Sequence, residues 1–572
     1  MTSIYKKLPL SFIFLVVSSC GGNSSAINKP TITLVSPVST VVAAGSTLQL
    51  QATVGGSNNT TILWYVNNVP GGNSTVGTIT PQGFYTAPNI PTSNGSIVIS
   101  ASPQVYPTIS TSIQIGITFA NVSLSGNYVF SMSGTESGGP WAAAGSFTAN
   151  GNGTISNGIE DINGPAGIST ALPFNGSFLI NANGQGIAAF TSAQGSVTMA
   201  FTLNTQGQSV VMRTDHGDVA TGLFYPQLPT ALTLTSLNAS YVFSFAGVDQ
   251  SSTLQNVIGY FNTNGSPNLT NAQEDLNDGS TTTNQSFSGS YTIVGNGRGT
   301  ATFTDSTGTR TYGFYIVSPT QLQFVEIDTS GYLNGTVFQQ QSVTPTTTLA
   351  GSYVFDASGI SAAAAYATAG GFYTNTTTYG NISSGTDDIN NAGTNPTNTT
   401  LTGSFTTGTN GRGTIILTGT SGTTNYVYYF ISPNTGFLLS TNNGINASGN
   451  LFQQIGGFST AALFGSYTLI QSSPVSAMPP SAAVGVLNLN GAGAIAGYQN
   501  MNINGTSSGQ LSVTGTEMVT GVANGTSTRG VATLSNSAGT ITNYAFYPIS
   551  SSAVIMLGDS GSLVVATLVS QY

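Results

Sequence analysis

Residues 122–572 consist of one pattern repeated four times, and this repetition limits the fold more than any other feature of the chain. A segment that reads Tyr-Val-Phe in three copies and Tyr-Thr-Leu in the fourth recurs, with its tyrosine at Tyr128, Tyr241, Tyr353 and Tyr467. The spacings are 113, 112 and 114 residues, which is a typical domain length. Because self-similarity at a fixed period marks tandem architectures, the sequence predicts four copies of one small domain.

Each copy has the pattern of short antiparallel strands joined by tight turns. Asn-Gly dipeptides, the strongest short hairpin signal, occur early in the copies at Asn150-Gly151 and Asn264-Gly265. They recur near the middle at Asn183-Gly184, Asn296-Gly297 and Asn410-Gly411, and each copy ends near a glutamine, at Gln227, Gln340, Gln454 and Gln571. About eight strands with no room for crossover helices predict a small up-and-down barrel, whose first and last strands pair. An open two-sheet β-sandwich is the alternative.

Composition limits the partners that such a chain can have. Charged residues make up 4% of the sequence, against roughly 25% in an average soluble protein. Hydrophobic residues make up 39%, which is enough to build cores. Beyond residue 20 the basic side chains are Lys29 and five arginines, so we expect no basic patch and no nucleic-acid partner.

The N-terminus has the pattern of an export signal over residues 1–20, followed by a flexible tether over residues 21–29. Lys6 and Lys7 precede a short apolar stretch, and the stretch is followed by Val17-Ser18-Ser19-Cys20. These four residues resemble the lipobox of bacterial lipoproteins. The resemblance implies that Cys20 is acylated, so that lipid anchors the protein to a membrane. Gly21, in place of the aspartate that retains such proteins in the inner membrane, implies an outer-membrane or cell-surface location. An ordinary signal peptide cut elsewhere is the alternative.

Residues 30–119 have the alternation of a separate β-domain. Predicted strands include residues 47–54, 62–66 and 97–101, and Trp64 is interpreted as a core residue. Together with Gly83-Phe84-Tyr85-Thr86-Ala87-Pro88, these segments resemble bacterial immunoglobulin-like domains of surface proteins and adhesins. The four repeats resemble those that follow such domains in large envelope proteins of soil bacteria. That resemblance implies no catalytic activity.

Acidic residues recur at one position of the repeat, and they are the candidate site residues. They occur within Glu160-Asp161-Ile162-Asn163, Glu274-Asp275-Leu276-Asn277 and Asp387-Asp388-Ile389-Asn390. On a strand, the second acid and the asparagine share a face, and their oxygens could bind calcium or another ligand. The alternative is a structural role, in turns or in pairs with the arginines Arg298, Arg412 and Arg529. Within single copies that pairing is incomplete, because the first has Gln185 and the fourth has Asn500 at the corresponding positions.

Catalytic patterns are weak in this sequence. Asp215 and His216, the single histidine, are adjacent on a predicted strand and would point to opposite faces. The paired acids could in principle hydrolyse glycosides, although a pair that recurs in three copies suits a structural device better. Zinc is disfavoured by the lack of histidines and cysteines.

The sequence therefore predicts an all-β, non-enzymatic protein with no cofactor, apart from the calcium alternative. The predicted domains are an immunoglobulin-like sandwich and four meander units, over residues 30–119, 122–227, 235–340, 347–454 and 461–572. The predicted function is that of a cell-envelope lipoprotein presenting β-domains for adhesion or for binding a glycan or a protein. An architectural spacer without a ligand is the main alternative, and a small-ligand carrier or a glycoside hydrolase is a further one.

Overall fold

The structure is a computed structural model. It describes residues 29–572 apart from 36, 38, 137–138, 229–231, 343–348, 375–378, 392–396, 475–478, 521–527 and 559–562. The regular structure of the described residues is β-strand with four short 3₁₀ helices, Asn121–Ser123, Leu234–Ser236, Gly295–Gly297 and Thr460–Ala462. None of the helices in this part of the chain is long and apolar enough to cross a membrane. The all-β prediction is confirmed.

The N-terminal module is a β-sandwich. Its described strands β1 to β11 are Thr31–Val35, Val41–Ala43, Thr47–Gln49, Gln51–Gly55, Ile62–Val66, Val69–Pro70, Gly72–Asn73, Gly77–Ile79, Phe84–Thr86, Ser96–Pro103 and Thr111–Thr118. One sheet has the order β2-β11-β10-β5-β6 and a second has the order β3-β9-β8-β7, while β1 pairs with β4. Side chains of both larger sheets meet in one apolar core that includes Trp64.

Four meander units follow the module, and in each of them successive strands pair with one another, apart from the two halves of one split strand in unit 2. Unit 1 has strands β12 to β19, which are Ser125–Glu136, Gly139–Asn150, Thr154–Gly164, Gly167–Ile180, Gln185–Ser192, Gly195–Leu203, Ser209–Arg213 and Val219–Pro226. Unit 2 has strands β20 to β28, which are Ser240–Val248, Leu254–Asn262, Thr270–Asn277, Thr281–Ser286, Ser288–Ile293, Arg298–Thr304, Thr309–Ser318, Gln321–Glu326 and Asn334–Gln339.

Units 3 and 4 repeat this order of strands. Unit 3 has strands β29 to β36, which are Gly351–Ser361, Ala364–Thr374, Asn381–Asn391, Thr397–Thr407, Arg412–Gly419, Gly422–Ser432, Thr435–Ser440 and Ile445–Gln453. Unit 4 has strands β37 to β44, which are Phe464–Ser472, Ser481–Asn490, Ala494–Ile503, Thr506–Val519, Gly530–Asn536, Ile541–Ser550, Ala553–Gly558 and Val565–Ser570.

Each unit closes on itself. Units 1, 3 and 4 are closed antiparallel barrels in which the first strand pairs with the last. In unit 2, β20 pairs with β28 in the same way, and the fourth strand is split into β23 and β24 at Phe287. Backbone hydrogen bonds from Leu269 to Gly289 (2.9 Å) and from Tyr291 to Pro267 (2.7 Å) join β24 to the segment just before β22, and these bonds close the sheet. The prediction of small eight-stranded barrels, as opposed to open sandwiches, is confirmed.

The repeated tyrosine ties the barrel interior together. In unit 2 the Tyr241 ring stacks on Phe261 at 5.6 Å, and its hydroxyl donates to the carbonyl of Pro319 at 2.7 Å. That carbonyl belongs to the hairpin between the sixth and seventh strands, so one side chain joins both halves of the barrel. Tyr353 and Tyr467 donate to the equivalent hairpins of units 3 and 4. Burial of such a ring contributes about 1.5–3 kcal/mol, and aromatic and aliphatic side chains fill all four interiors.

The four barrels form a closed ring. The first two strands of units 1, 2 and 3 pack on the sixth and seventh strands of the following unit, and β37 and β38 of unit 4 pack in the same way on β17 and β18 of unit 1. Each contact has its own apolar cluster. Between units 2 and 3, for example, Val242 and Ile258 meet Val427, Tyr429 and Leu439. Unit 4 therefore contacts unit 1, and this contact closes the ring.

The N-terminal module lies beside the contact between units 4 and 1, which we name the seam. The Phe119 amide donates to the carbonyl of Ala182 in unit 1 at 3.1 Å, and the Phe119 ring lies 5.9 Å from the ring of Tyr572. In the linker that follows the module, the Ser123 hydroxyl donates to the carbonyl of Asn89 in the module at 2.8 Å. The module is thus held at the junction where the ring closes.

Candidate functional site

The recurring acidic motif lies on the third strand of units 1 to 3, and the pleat of that strand places its adjacent side chains in two environments. Adjacent side chains of a strand point to opposite faces. Glu160 is paired across the sheet with Gly145, whose Cα faces Phe130 in the barrel core. The first acid therefore points into its own barrel, and the second acid and the asparagine point toward the next one. The adjacent carboxylates do not share one site.

Each second acid forms an ion pair with an arginine of the following unit. Arg298 donates from Nε to Asp161 Oδ2 at 2.9 Å and from Nη2 to Oδ1 at 2.7 Å. The equivalent pairs are Arg412 with Asp275 at 2.8 and 2.7 Å, and Arg529 with Asp388 at 2.6 and 2.7 Å. All three aspartate side chains are fully buried. Ion pairs with two parallel hydrogen bonds are strong and directional. We call these three pairs the Asp–Arg clamps.

A tyrosine completes the clamp in two of these contacts. The hydroxyls of Tyr429 and Tyr547 each donate to the clamped aspartate, Asp275 and Asp388 respectively, at 2.6 Å. Each carboxylate is thereby bonded by two guanidinium nitrogens and one hydroxyl. The full set of donors offsets the cost of burying the charge.

The asparagine of the motif makes a second contact with the following unit. Asn163 donates from Nδ2 to the carbonyls of Glu326 at 3.0 Å and Gly331 at 2.8 Å. The equivalent bonds are those of Asn277 to Ser440 and Ile445, Asn390 to Gly558, and Asn502 to Arg213 and Asp218. This bond is present in all four contacts of the ring.

The glutamine at the end of each unit is the third repeated contact. Gln340 donates from Nε2 to the carbonyls of Asn410 at 2.9 Å and Phe430 at 2.7 Å in unit 3. A Cβ on Gly411 would lie 2.6 Å from that nitrogen, and Gly411 also has a φ of +78°. The mid-unit Asn-Gly turn therefore needs glycine both for its backbone and for the approach of the glutamine. Equivalent bonds are made by Gln227 to Ile316, Gln454 to Pro548, and Gln571 to Asn183 and Leu203.

The seam uses equivalent strands but has uncharged residues at the clamp positions. Unit 4 carries Asn500 at the aspartate position, and unit 1 carries Gln185 at the arginine position. Gln185 accepts a hydrogen bond from Gln510 at 2.5 Å. Opposite Gln185 on the neighbouring strand is Thr202, where the clamp-bearing units have tyrosine. Both amide contacts, those of Asn502 and Gln571, are retained.

The first acids are held inside the barrels with raised pKa values. Burial is the main cause, and it raises the pKa of Glu160 to about 7 and that of Asp387 to about 6. Burial, followed by hydrogen bonding to Asp305 and the charge of that residue, raises the pKa of Glu274 to about 8. These carboxyl groups therefore keep a proton well above the pH at which an exposed carboxyl loses it.

A cavity of about 230 Å³ lies where the four units meet at the axis of the ring. The described residues that line it are all uncharged, and they occupy equivalent positions of the units. The first strands contribute Ser133, Ala246, Ser358 and Ser472, and the last strands contribute Thr221, Asn334 and Ser448. Tyr332 adds aromatic surface. The cavity offers hydroxyl, amide and aromatic groups to a ligand.

The Trp141 ring packs inside unit 1, behind the wall of this cavity. The guanidinium of Arg213 lies 4.6 Å from the ring centroid. Arg213 is itself fixed by ion pairs with Glu136, Asp215 and Asp218, at 3.3, 3.1 and 2.5 Å.

The remaining sequence candidates fall at separate places. His216 is exposed, and the Asp215 carboxylate binds Arg213 and Thr198. In the described part of the chain no group of three or more His, Cys, Asp or Glu side chains is arranged to hold a metal ion, and calcium binding at the acidic motifs stays a prediction. The lipidation prediction at Cys20 lies outside the described residues.

The contacts between units were not recognised from the sequence, although a signal for them exists. The acids occur in units 1 to 3 and the matching arginines in units 2 to 4, which is an offset of one unit. Such an offset indicates that the acid of one unit pairs with the arginine of the next unit. Gln185 and Asn500, which break the pattern when pairs are sought within a unit, are then no longer exceptions. The acids had two interpretations, a ligand site and a structural pairing with arginine. The structure shows the second acid of each motif paired with an arginine.

Comparison with known proteins gives no assignment. No family model matches the chain, and no match was found among the curated proteins. Function therefore has to be inferred from the residues and their geometry.

We predict that Arg412→Gln lowers the free energy of unfolding by about 3–5 kcal/mol, because it leaves the buried carboxylate of Asp275 without its cation. Combining it with Asp275→Asn recreates the uncharged residues of the seam and should recover most of the loss. A double-mutant cycle in urea unfolding measures the coupling. Simple additivity of the two changes would contradict the clamp.

We also predict that the protein is more stable near pH 5 than near pH 8. The folded state keeps protons on Glu160, Glu274 and Asp387 that the unfolded chain releases above a pH of about 4.5. Their stabilising effect is fully present below the unfolded pKa and is lost as the pH rises through about 6 to 8. Thermal midpoints across this range test the prediction. Glu274→Gln should flatten the profile, and an unchanged profile in that variant would count against it.

Proposed function

We propose that this protein is a non-catalytic lipoprotein of the bacterial cell envelope that binds an uncharged glycan at the axis of its ring. The axial cavity carries the proposal. It combines hydroxyl and amide groups from the four units with the aromatic ring of Tyr332. Ligand pockets occur preferentially where domains meet, with a few polar groups that set orientation. Sugar hydroxyls match such donors and acceptors, and sugar C–H faces pack on aromatic rings.

The distribution of charge supports an uncharged ligand. Each of the five arginines forms an ion pair with a carboxylate of this chain. The side chains of these arginines are at most 20% exposed. The guanidinium groups hold barrels together and to one another, so they are poor partners for an acidic ligand.

The outer faces of the barrels also present hydroxyl groups. In unit 2, Thr292 and Thr300 lie 2.8 Å apart, oxygen to oxygen, across neighbouring strands. Thr304 and Thr309 lie 2.9 Å apart in the same way. Similar pairs occur in unit 3 between Thr406 and Thr414 and between Thr418 and Thr423. A surface of this kind interacts with neutral, hydrated polymers without electrostatic attraction.

The proposed route to the envelope is the N-terminal signal with acylation of Cys20. Two or more acyl chains anchor a protein stably where one is marginal. The immunoglobulin-like module follows the tether and lies beside the seam, so the anchored end of the chain would approach the ring there. An outer-membrane or cell-surface location is proposed on the same basis.

Two other functions receive less support from the geometry. A glycoside hydrolase needs two carboxyl groups flanking one bond, whereas Glu160 and Asp161 point to opposite faces of their strand. A carrier needs space inside the barrels, and their interiors are packed, with a cavity of about 20 Å³ in unit 2. An architectural spacer remains the second candidate.

We predict that residues 21–572 bind uncharged glycans on an array, and that ionic strength has little effect on the binding because no exposed charge takes part. Ser358→Trp, which fills the axial cavity, should abolish the binding. Thr402→Trp on the outer face of unit 3 is the matched control and should bind normally. Failure of the unmodified chain to bind any glycan would favour the spacer, and binding that survives in Ser358→Trp would place the site elsewhere.

We predict that Cys20→Ser removes both palmitate labelling and the membrane-bound fraction of the protein in cells. The cause is the loss of the only thiol that can accept lipid. Ser24→Ala in the tether is the control and should leave labelling unchanged. Labelling that persists in Cys20→Ser would refute the anchor.

A further inference from the structure

We propose that the uncharged residues Asn500 and Gln185 are a positional code that reserves unit 1 for unit 4 and thereby sets where the ring closes. This goes beyond the proposed function, since it concerns how the four units select one another. For each unit, the outgoing face carries Asp161, Asp275, Asp388 or Asn500 on the third strand. The incoming face carries Gln185, Arg298, Arg412 or Arg529 at the start of the fifth strand.

Apart from these residues, the four contacts share their specific bonds. The motif asparagine donates to the following unit in all of them, at 2.6–2.8 Å in its shortest bonds to Gly331, Ser440, Gly558 and Asp218. The terminal glutamine does the same. Each contact also has an apolar cluster at equivalent strands. Faces this similar would be nearly interchangeable if nothing else distinguished them.

The charges make the wrong combinations costly. If unit 3 closed on unit 1, Asp388 would meet Gln185, and a fully buried carboxylate would lose its guanidinium. If unit 4 met unit 2, Arg298 would face Asn500 without an anion. Removing one partner from a buried ion pair is strongly destabilising, whereas an uncharged pair in its place is tolerated. The seam is the contact that matches an uncharged residue with an uncharged residue at the clamp positions.

Chain connectivity already brings units 1 and 2, 2 and 3, and 3 and 4 together. The remaining choice is which of the four outgoing faces binds the incoming face of unit 1. A wrong outgoing face could come from the same chain or from a second copy. Placing the neutral pair at this contact decides that choice, because specificity requires a penalty for the wrong partner as well as attraction for the right one. The offset of acids in units 1 to 3 and arginines in units 2 to 4 is the pattern that this selection requires.

The code is tested by refolding residues 21–572 from urea, with the monomer fraction measured by size-exclusion chromatography. Asn500→Asp combined with Gln185→Arg gives the seam a clamp, so every incoming face accepts every outgoing face. We expect a native ring with a thermal midpoint no lower than that of the unmodified chain, but a lower recovery of monomer and more oligomer. The control, Thr402→Arg with Thr418→Asp across two outer strands of unit 3, adds the same charges and should refold normally. Equal recovery in both variants would overturn the proposal.

A second variant tests the code without changing the seam. Asp388→Asn with Arg529→Gln makes the outgoing face of unit 3 uncharged, so that unit 3 can close on unit 1 and exclude unit 4. We expect limited proteolysis after refolding to remove unit 4 from part of the population. Complete resistance of unit 4, as in the unmodified chain, would also overturn the proposal.

Discussion

The pleat of the third strand is the constraint on which both levels of the structure depend. It sends one acid of the motif into a barrel and the next acid, one residue later, into the neighbouring barrel. The buried acid of the barrel interior and the clamp acid between barrels are therefore adjacent residues, such as Glu160 and Asp161. A one-residue shift of this strand would exchange the two carboxyl groups and leave both without their partners.

The scarcity of charge gives each charged side chain a large effect. With 4% charged residues, the chain cannot rely on surface ion pairs, which contribute little in any case. It uses arginine instead in buried two-pronged contacts, where the direction of the bonds specifies the partner. The surfaces that remain are rich in hydroxyl and amide groups. The scarcity of charge that makes the buried pairs specific also leaves a surface suited to neutral ligands.

The fold could be predicted largely from local patterns. Tyrosines at a constant spacing and Asn-Gly turns were sufficient for antiparallel units, and the short length of each unit indicated closed barrels. The candidate site was predicted only in part. Asp161 and Asn163 were expected to share a face, and they do, but their partners belong to unit 2. Strands such as β34, where Tyr426 to Phe430 are all buried, depart from period-two alternation because a second barrel covers their outer face.

What the sequence by itself determined is the set of antiparallel β-units and their number, because strand period and turn chemistry act over a few residues. The ring was decided only in the tertiary structure. The clamp partners lie 137 or 141 residues apart, and Gln571 reaches Leu203 from the opposite end of the repeat array. No local pattern reports contacts at that range, because they depend on how whole barrels pack. The axial cavity exists for the same reason, since it is formed between the units and belongs to none of them.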